Sequence, residues 1–130
     1  MSDFTVFLDT CALLYLASGS DRLSDHAVRM VDNAKAAFIS PISAWEISLK
    51  CVRGQLSLPE EPEPWFETAI SVHSLELYHL TPSILLHANR LPWHHRDPAD
   101  RFIIASALDA KAALISTDEK MRQYDIEIVE

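Results

Sequence analysis

Glycine is almost absent from this chain. Only Gly19 and Gly54 occur among 130 residues, so no glycine-rich loop can cradle a phosphate through its backbone N–H groups. Cysteine is equally sparse. Cys11 and Cys51 share no C-x-x-C spacing and are too few for a disulfide scaffold, which points to reduced thiols in a cytoplasmic setting. No apolar run is long enough to span a bilayer, and no basic N-terminal segment leads into an apolar signal core. A soluble protein with no membrane partner is expected. Positive charge is in deficit, with 11 Lys and Arg against 19 Asp and Glu and a net charge of −8. That balance disfavours sequence-blind binding of nucleic acid through a general positive surface. It leaves room for a local basic rim, or for a site that meets phosphate through bound metal. No internal repeat and no low-complexity tract is present.

What the chain does have is apolar content, 48% of its residues, enough at this length for one compact domain spanning residues 1–130. The most informative stretch runs from Leu91 to Leu108, LPWHHRDPADRFIIASAL. Pro98 supplies the fixed φ suited to a first helical residue, so Asp97 reads as an N-cap and Asp100 as the third helical position. Steps of three and four from Asp100 reach Ile103, Ile104, Ala107 and Leu108. The Asp100 carboxylate therefore lies on or beside the inward face, where a charge is costly unless something neutralises it.

Elsewhere strands and helices alternate. Phe4 to Leu8 reads as a buried strand ending at Asp9, followed by a helix over CALLYLAS and a second from about Leu23 to Ala34. Ala37 to Ile39 is a second strand. Ser40-Pro41 opens a helix that stops at Gly54, with Ile42, Trp45, Leu49 and Val52 at core spacing and Glu46 at the edge of that stripe. LSLPEEPEPW reads as a surface connection leading to a helix from about Trp65 to Val72. Leu75 to Leu80 is a strand or extended segment. Thr81-Pro82 starts a helix to about Asn89. After the helix that carries Asp100, AALIS forms a strand ending at Thr117 and Asp118, EKMRQY a short helix, and IEIV a last strand. Such alternation, with apolar strands, predicts an α/β fold with a central, mostly parallel sheet covered on both faces.

In sheets of this kind ligands bind beyond the carboxyl ends of the strands, where strand order reverses. Asp9 and Asp118 each follow a strand at that edge, and Glu46 and Asp100 lie near the starts of helices that follow from it. Four carboxylates distant in sequence are thus directed toward one end of the sheet. Their repulsion would raise at least one pKa unless a cation offset it. Hard divalent ions with oxygen ligands fit this need, and two of them can clamp the attacking and leaving oxygens of a phosphodiester. No cysteine or histidine cluster has zinc spacing; His94 and His95 are adjacent and read as loop histidines, solvated or bonded to backbone.

Asp9 in VFLDTCALLYL, Glu46 in SPISAWEISLK, Asp100 in HRDPADRFIIASAL and Asp118 in LISTDEKM together resemble the four acidic motifs of PIN domains. The likeness covers nearly the whole chain, is most specific at HRDPADR-x-I-I-A-x-A, and is nearest to VapC-like toxins. The resemblance implies a three-layer α/β/α sandwich and a Mg²⁺- or Mn²⁺-dependent, single-strand-specific endoribonuclease. It implies a homodimer inhibited by a cognate antitoxin. It also implies metal ligation by Asp9, Asp100 and Asp118, with Glu46 direct or through water, and products with a 5′-phosphate and a 3′-hydroxyl. The acid directly before R-x-I-I-A is the family's ligand, which favours Asp100 over Asp97. Thr10 and Thr117 stand where the family often carries a hydroxyl.

Other residues have plainer readings. Asp97 is a helix cap. Arg101 is open between pairing with a carboxylate and touching phosphate. Lys50, Arg53, Arg90, Arg96 and Lys120 are rim candidates for phosphate contact or ordinary surface charges. Trp45 and Trp93 are read as packing residues, with base stacking the alternative, and Cys11 as packing. A haloacid dehalogenase-type phosphatase would need a second Asp where Cys11 stands. A response-regulator receiver would need an acceptor Asp after its third strand and a Lys after its fifth. A catalytically degenerate PIN domain acting as an interaction module is the alternative within the resemblance.

Overall fold

The computed structural model describes residues 3–130. Five short strands, β1 (Thr5–Leu8), β2 (Ala36–Ile39), β3 (Glu76–Leu77), β4 (Ala113–Ile115) and β5 (Ile128–Val129), form one sheet. Their order is β3-β2-β1-β4-β5, and every neighbouring pair is parallel. Six helices flank it: α1 (Thr10–Ser18), α2 (Asp25–Asn33), α3 (Pro41–Val52), α4 (Pro62–Val72), α5 (Pro82–Arg90) and α6 (Pro98–Ala110). A 3-10 helix over Glu119–Gln123 precedes β5.

The pleat sorts side chains between the two faces. Val6, Leu8, Ala37, Ile39, Ala113 and Ile115 enter one core cluster with Leu13, Val31, Ile47 and Phe66 from α1 to α4. Phe7 and Leu114 enter the other with Ile84, Ile103 and Ile104 from α5 and α6. A sheet buried on both faces needs apolar residues at successive positions, which is why its strands read as unbroken apolar runs. The expected α/β/α layering is thus what the chain adopts.

Helix starts follow their caps. Asp9, Ser24, Ser40, Thr81 and Asp97 each accept a hydrogen bond from a backbone N–H in the first turn of the helix that follows, as short polar side chains at that position do. Pro62 opens α4 three residues before the expected start at Trp65, since proline is tolerated in a first turn. The extended segment after α4 pairs with β2 over two residues only, forming a short edge strand.

One expectation fails on α3. Trp45 is 57% exposed and Val52 81%, and the buried positions of the helix are Ser43 and Ile47. The helix packs against α1, α4 and α6, and a hydrogen bond from its inner face to α1 sets its rotation. Thr10 Oγ1 lies 2.8 Å from Ser43 Oγ. The sequence carries two stripes at helical spacing, and this polar contact selects the less apolar one.

Candidate active site

Strand order reverses between β1 and β4, because β2 and β3 extend the sheet to one side of β1 and β4 and β5 to the other. Asp9 leaves β1 at this point and its N–H donates to Ile115 O, the last residue of β4, at 3.1 Å. Asp9 is buried, and its Oδ1 accepts the Ala12 N–H at 2.8 Å. Asp118 follows β4 and caps the 3-10 helix, its Oδ1 accepting the Lys120 N–H at 3.0 Å. Asp100 stands in the first turn of α6. Glu46, half-buried on α3, accepts a short 2.5 Å hydrogen bond from Thr10 Oγ1.

The sequence reading missed the residue that joins two of these acids. His95 is 7% exposed, not solvated, and its Nε2 lies 3.0 Å from Asp100 Oδ2 and 2.9 Å from Asp118 Oδ2. Its Nδ1 accepts the Asp97 N–H at 3.3 Å, which places the ring proton on Nε2, facing the two carboxylates. Its backbone N–H donates to Tyr124 Oη at 2.9 Å. His95, Asp100 and Asp118 each offer a ligand atom within 4.8 Å of the others. Asp9 and Glu46 stand outside that tight group but share its field. Burial, then the charges of Asp118 and Glu46, drive the Asp9 carboxyl up to about 6 against hydrogen bonds from Ser116 and Ala12. Burial, with Asp97, Glu46, Asp9 and Asp118 adding repulsion, drives Asp100 up to about 8. Glu46 is raised chiefly by burial, against the Thr10 hydrogen bond.

Arg101 fits neither expected role. It is 2% exposed and buried under the loop before α6. Nη2 donates to Ala88 O and Leu91 O at 2.5 and 2.9 Å, and Nη1 to Pro92 O and His95 O at 2.9 and 3.0 Å. The guanidinium thus ties the C-terminal end of α5 to the loop that presents His95, and its charge is solvated by carbonyl dipoles. Trp93 lies outside the core, with Arg101 Cζ 3.5 Å from its ring centroid. Of the hydroxyls, Thr10 stands where expected; at β4 it is Ser116, not Thr117, that bonds Asp9 and receives the Asp118 N–H at 3.1 Å. The signal for His95 was its position, in the loop feeding the helix that bears Asp100; loop conformation, which sequence does not give, decided its aim.

Carboxylate oxygens with one imidazole nearby, partly buried and mutually repelling, form a donor set suited to a hard divalent ion such as Mg²⁺ or Mn²⁺. Among solved structures, the chain resembles VapBC2 from Rickettsia felis bound to a promoter DNA fragment, at 16% identity and TM-score 0.72 with 98% of each chain covered. It also resembles a toxin–antitoxin complex from Klebsiella pneumoniae, at 18% identity and TM-score 0.66 with 96% of each covered. Among curated proteins it is 26% identical over 121 residues to Ribonuclease VapC22 of Mycobacterium tuberculosis, covering 92% of both. The family model described as "PIN domain" matches residues 6–127, a span that contains both flanks of the reversal point and every acid placed there, and the chain belongs to the PIN domain family.

Proposed function

We propose that this protein is a metal-dependent, single-strand-specific endoribonuclease, the toxin of a toxin–antitoxin pair, with Asp9, Glu46, Asp100 and Asp118 as its site. The observation that carries this reading is the meeting of Asp100 and Asp118 at the switch point of the sheet, within the field of Asp9 and Glu46. The likeness to Ribonuclease VapC22 supports the reaction, and the likeness to toxin–antitoxin complexes supports an antitoxin partner. Among the described residues no helix is long and apolar enough to cross a membrane. A homodimer is part of the same proposal.

Asp9, Asp100 and Asp118 would hold the ion directly, with Glu46 alongside. When bound, Mg²⁺ or Mn²⁺ would supply Lewis-acid activation of water and stabilise charge on the phosphodiester in line with it. The residues themselves hold the geometry. Ala12 and Ser116 orient Asp9, Thr10 orients Glu46 while touching Ser43, and the Lys120 N–H fixes one oxygen of Asp118. Side chains held in this way need little reorganisation to act. His95 Nε2 lies between Asp100 and Asp118 and holds both carboxylates in place by hydrogen bonding.

The test is direct. End-labelled single-stranded RNA is cleaved with Mg²⁺ or Mn²⁺ and spared with chelator, and Asp100→Asn lowers the rate by at least about a hundredfold. Mass spectrometry of the fragments finds 5′-phosphate and 3′-hydroxyl ends. A 2′,3′-cyclic phosphate would reject activated-water attack, and intact RNA under all conditions would leave the chain a binding module.

A further inference from the structure

Three residues, Trp45 and Lys50 on α3 and Arg53 at its C-terminal cap, have no part in the site as described. Trp45 is 57% exposed, and among the described residues no aromatic ring or guanidinium stacks on it. The other tryptophans are committed, Trp65 to the first core cluster and Trp93 to Arg101. Lys50 and Arg53 have no carboxylate within 4.0 Å among the described residues. Two unpaired cations three residues apart share one helix face, in a chain whose net charge is −8.

These side chains line one groove of about 390 Å³ between α3 and the start of α6, with Asp97, Pro98 and Ala99 on the opposite wall; the Asp97 Oδ1 is taken up in capping α6 through the Ala99 N–H. Glu46 belongs both to this groove and to the acid cluster, so the groove opens onto the site. From Trp45 to Arg53 the helix rises about 12 Å, room for a few nucleotides. A bare aromatic face followed by free cations is how proteins hold single strands: the ring stacks on any base, and the cations follow the phosphates. An apolar partner helix would leave both cations desolvated and unpaired, at a cost.

We propose that this groove seats single-stranded RNA beside the bond being cut, Trp45 stacking on a base and Lys50 and Arg53 meeting the adjoining phosphates. The assignment rests on the nuclease reading above, and it makes Trp45 a substrate-positioning residue on the rim of the acidic pocket. The general acidity of the chain is then no obstacle, because the strand meets cations on the rim and metal at the centre.

The experiment titrates a fluorescein-labelled single-stranded RNA of about twelve nucleotides, with Mn²⁺ present, into the Asp100→Asn protein and reads anisotropy. In that background Trp45→Ala weakens binding about tenfold, and Trp45→Phe, which keeps an aromatic face, by no more than about threefold. Paired Lys50→Ala and Arg53→Ala reduce the slope of log affinity against log salt by about 1.4. In the cleaving protein the same substitutions raise KM and leave kcat within about threefold. Circular dichroism checks that these surface variants stay folded. If the unsubstituted protein cleaves RNA while affinity, slope and KM are unchanged in all variants, the groove assignment falls and the nuclease reading stands. RNA neither bound nor cleaved by the unsubstituted protein defeats both. Unchanged RNA affinity with an altered sedimentation coefficient makes the groove a contact between copies of the chain and overturns the proposal.

Discussion

His95 Nε2 lies 2.9 and 3.0 Å from two carboxylates that would otherwise repel one another. Burial, with the neighbouring carboxylates adding repulsion, holds the Asp100 carboxyl near 8 and the Asp9 carboxyl near 6, so both take up protons where ordinary aspartates are ionised. A divalent ion binds the ionised forms, so those protons must leave first. Mn²⁺ affinity is therefore expected to be at least about tenfold tighter at pH 8.5 than at pH 6, with protons released on binding. Calorimetry in buffers of different ionisation enthalpy reads both effects. Asp100→Asn, which has no proton to lose there, should remove most of the pH dependence. Equal affinities at the two pH values would mean that these groups do not hold the ion.

At the scale of elements, the loop between α5 and α6 is held by one side chain. Arg101 donates to the carbonyls of Ala88, Leu91, Pro92 and His95, two of which belong to the C-terminal turn and cap of α5. Lysine has a single ammonium and cannot serve four carbonyls in a fork. Arg101→Met would leave these acceptors without their donor and is expected to lower stability by about 3 kcal/mol, and Arg101→Lys by about 2 kcal/mol, in urea denaturation. Since the loop presents His95, both variants should also weaken Mn²⁺ binding under conditions where they remain folded. The cap of α3 carries less. Ser40→Ala, which removes the acceptor for the Ile42 N–H, should cost about 1 kcal/mol.

For the whole molecule, the acid cluster sets the sign of stability against pH. Between the ordinary carboxylate value near 3.8 and the folded values near 6 and 8, the folded chain holds protons that the unfolded chain has lost. Stability contributed by these two groups therefore falls as pH rises through about 4 to 8. The melting temperature of the metal-free protein should be lower at pH 8 than at pH 6, and saturating Mn²⁺ should raise it most at pH 8. Calorimetric scans with chelator and with Mn²⁺ measure this; a metal-free protein that melts higher at pH 8 would show that the carboxylates are not in conflict.

Layering, the succession of strands and helices and the placement of Asp9 and Asp118 after their strands were legible in the sequence because each has a local cause. Apolar runs make buried strands, Pro and short polar caps start helices, and an acid after a strand falls at the carboxyl edge of a parallel sheet. The rotation of α3 was not legible, since two stripes fit one helical period and Thr10, thirty-three residues away from Ser43, chooses between them. Nor was the aim of His95 or the burial of Arg101, because both depend on a loop whose path is fixed by partners on α5 and beside the 3-10 helix. Sequence determined which groups are available and the edge to which they are delivered; tertiary structure decided which of them touch, since short-range contacts between distant segments follow from packing and leave no periodic trace in the chain.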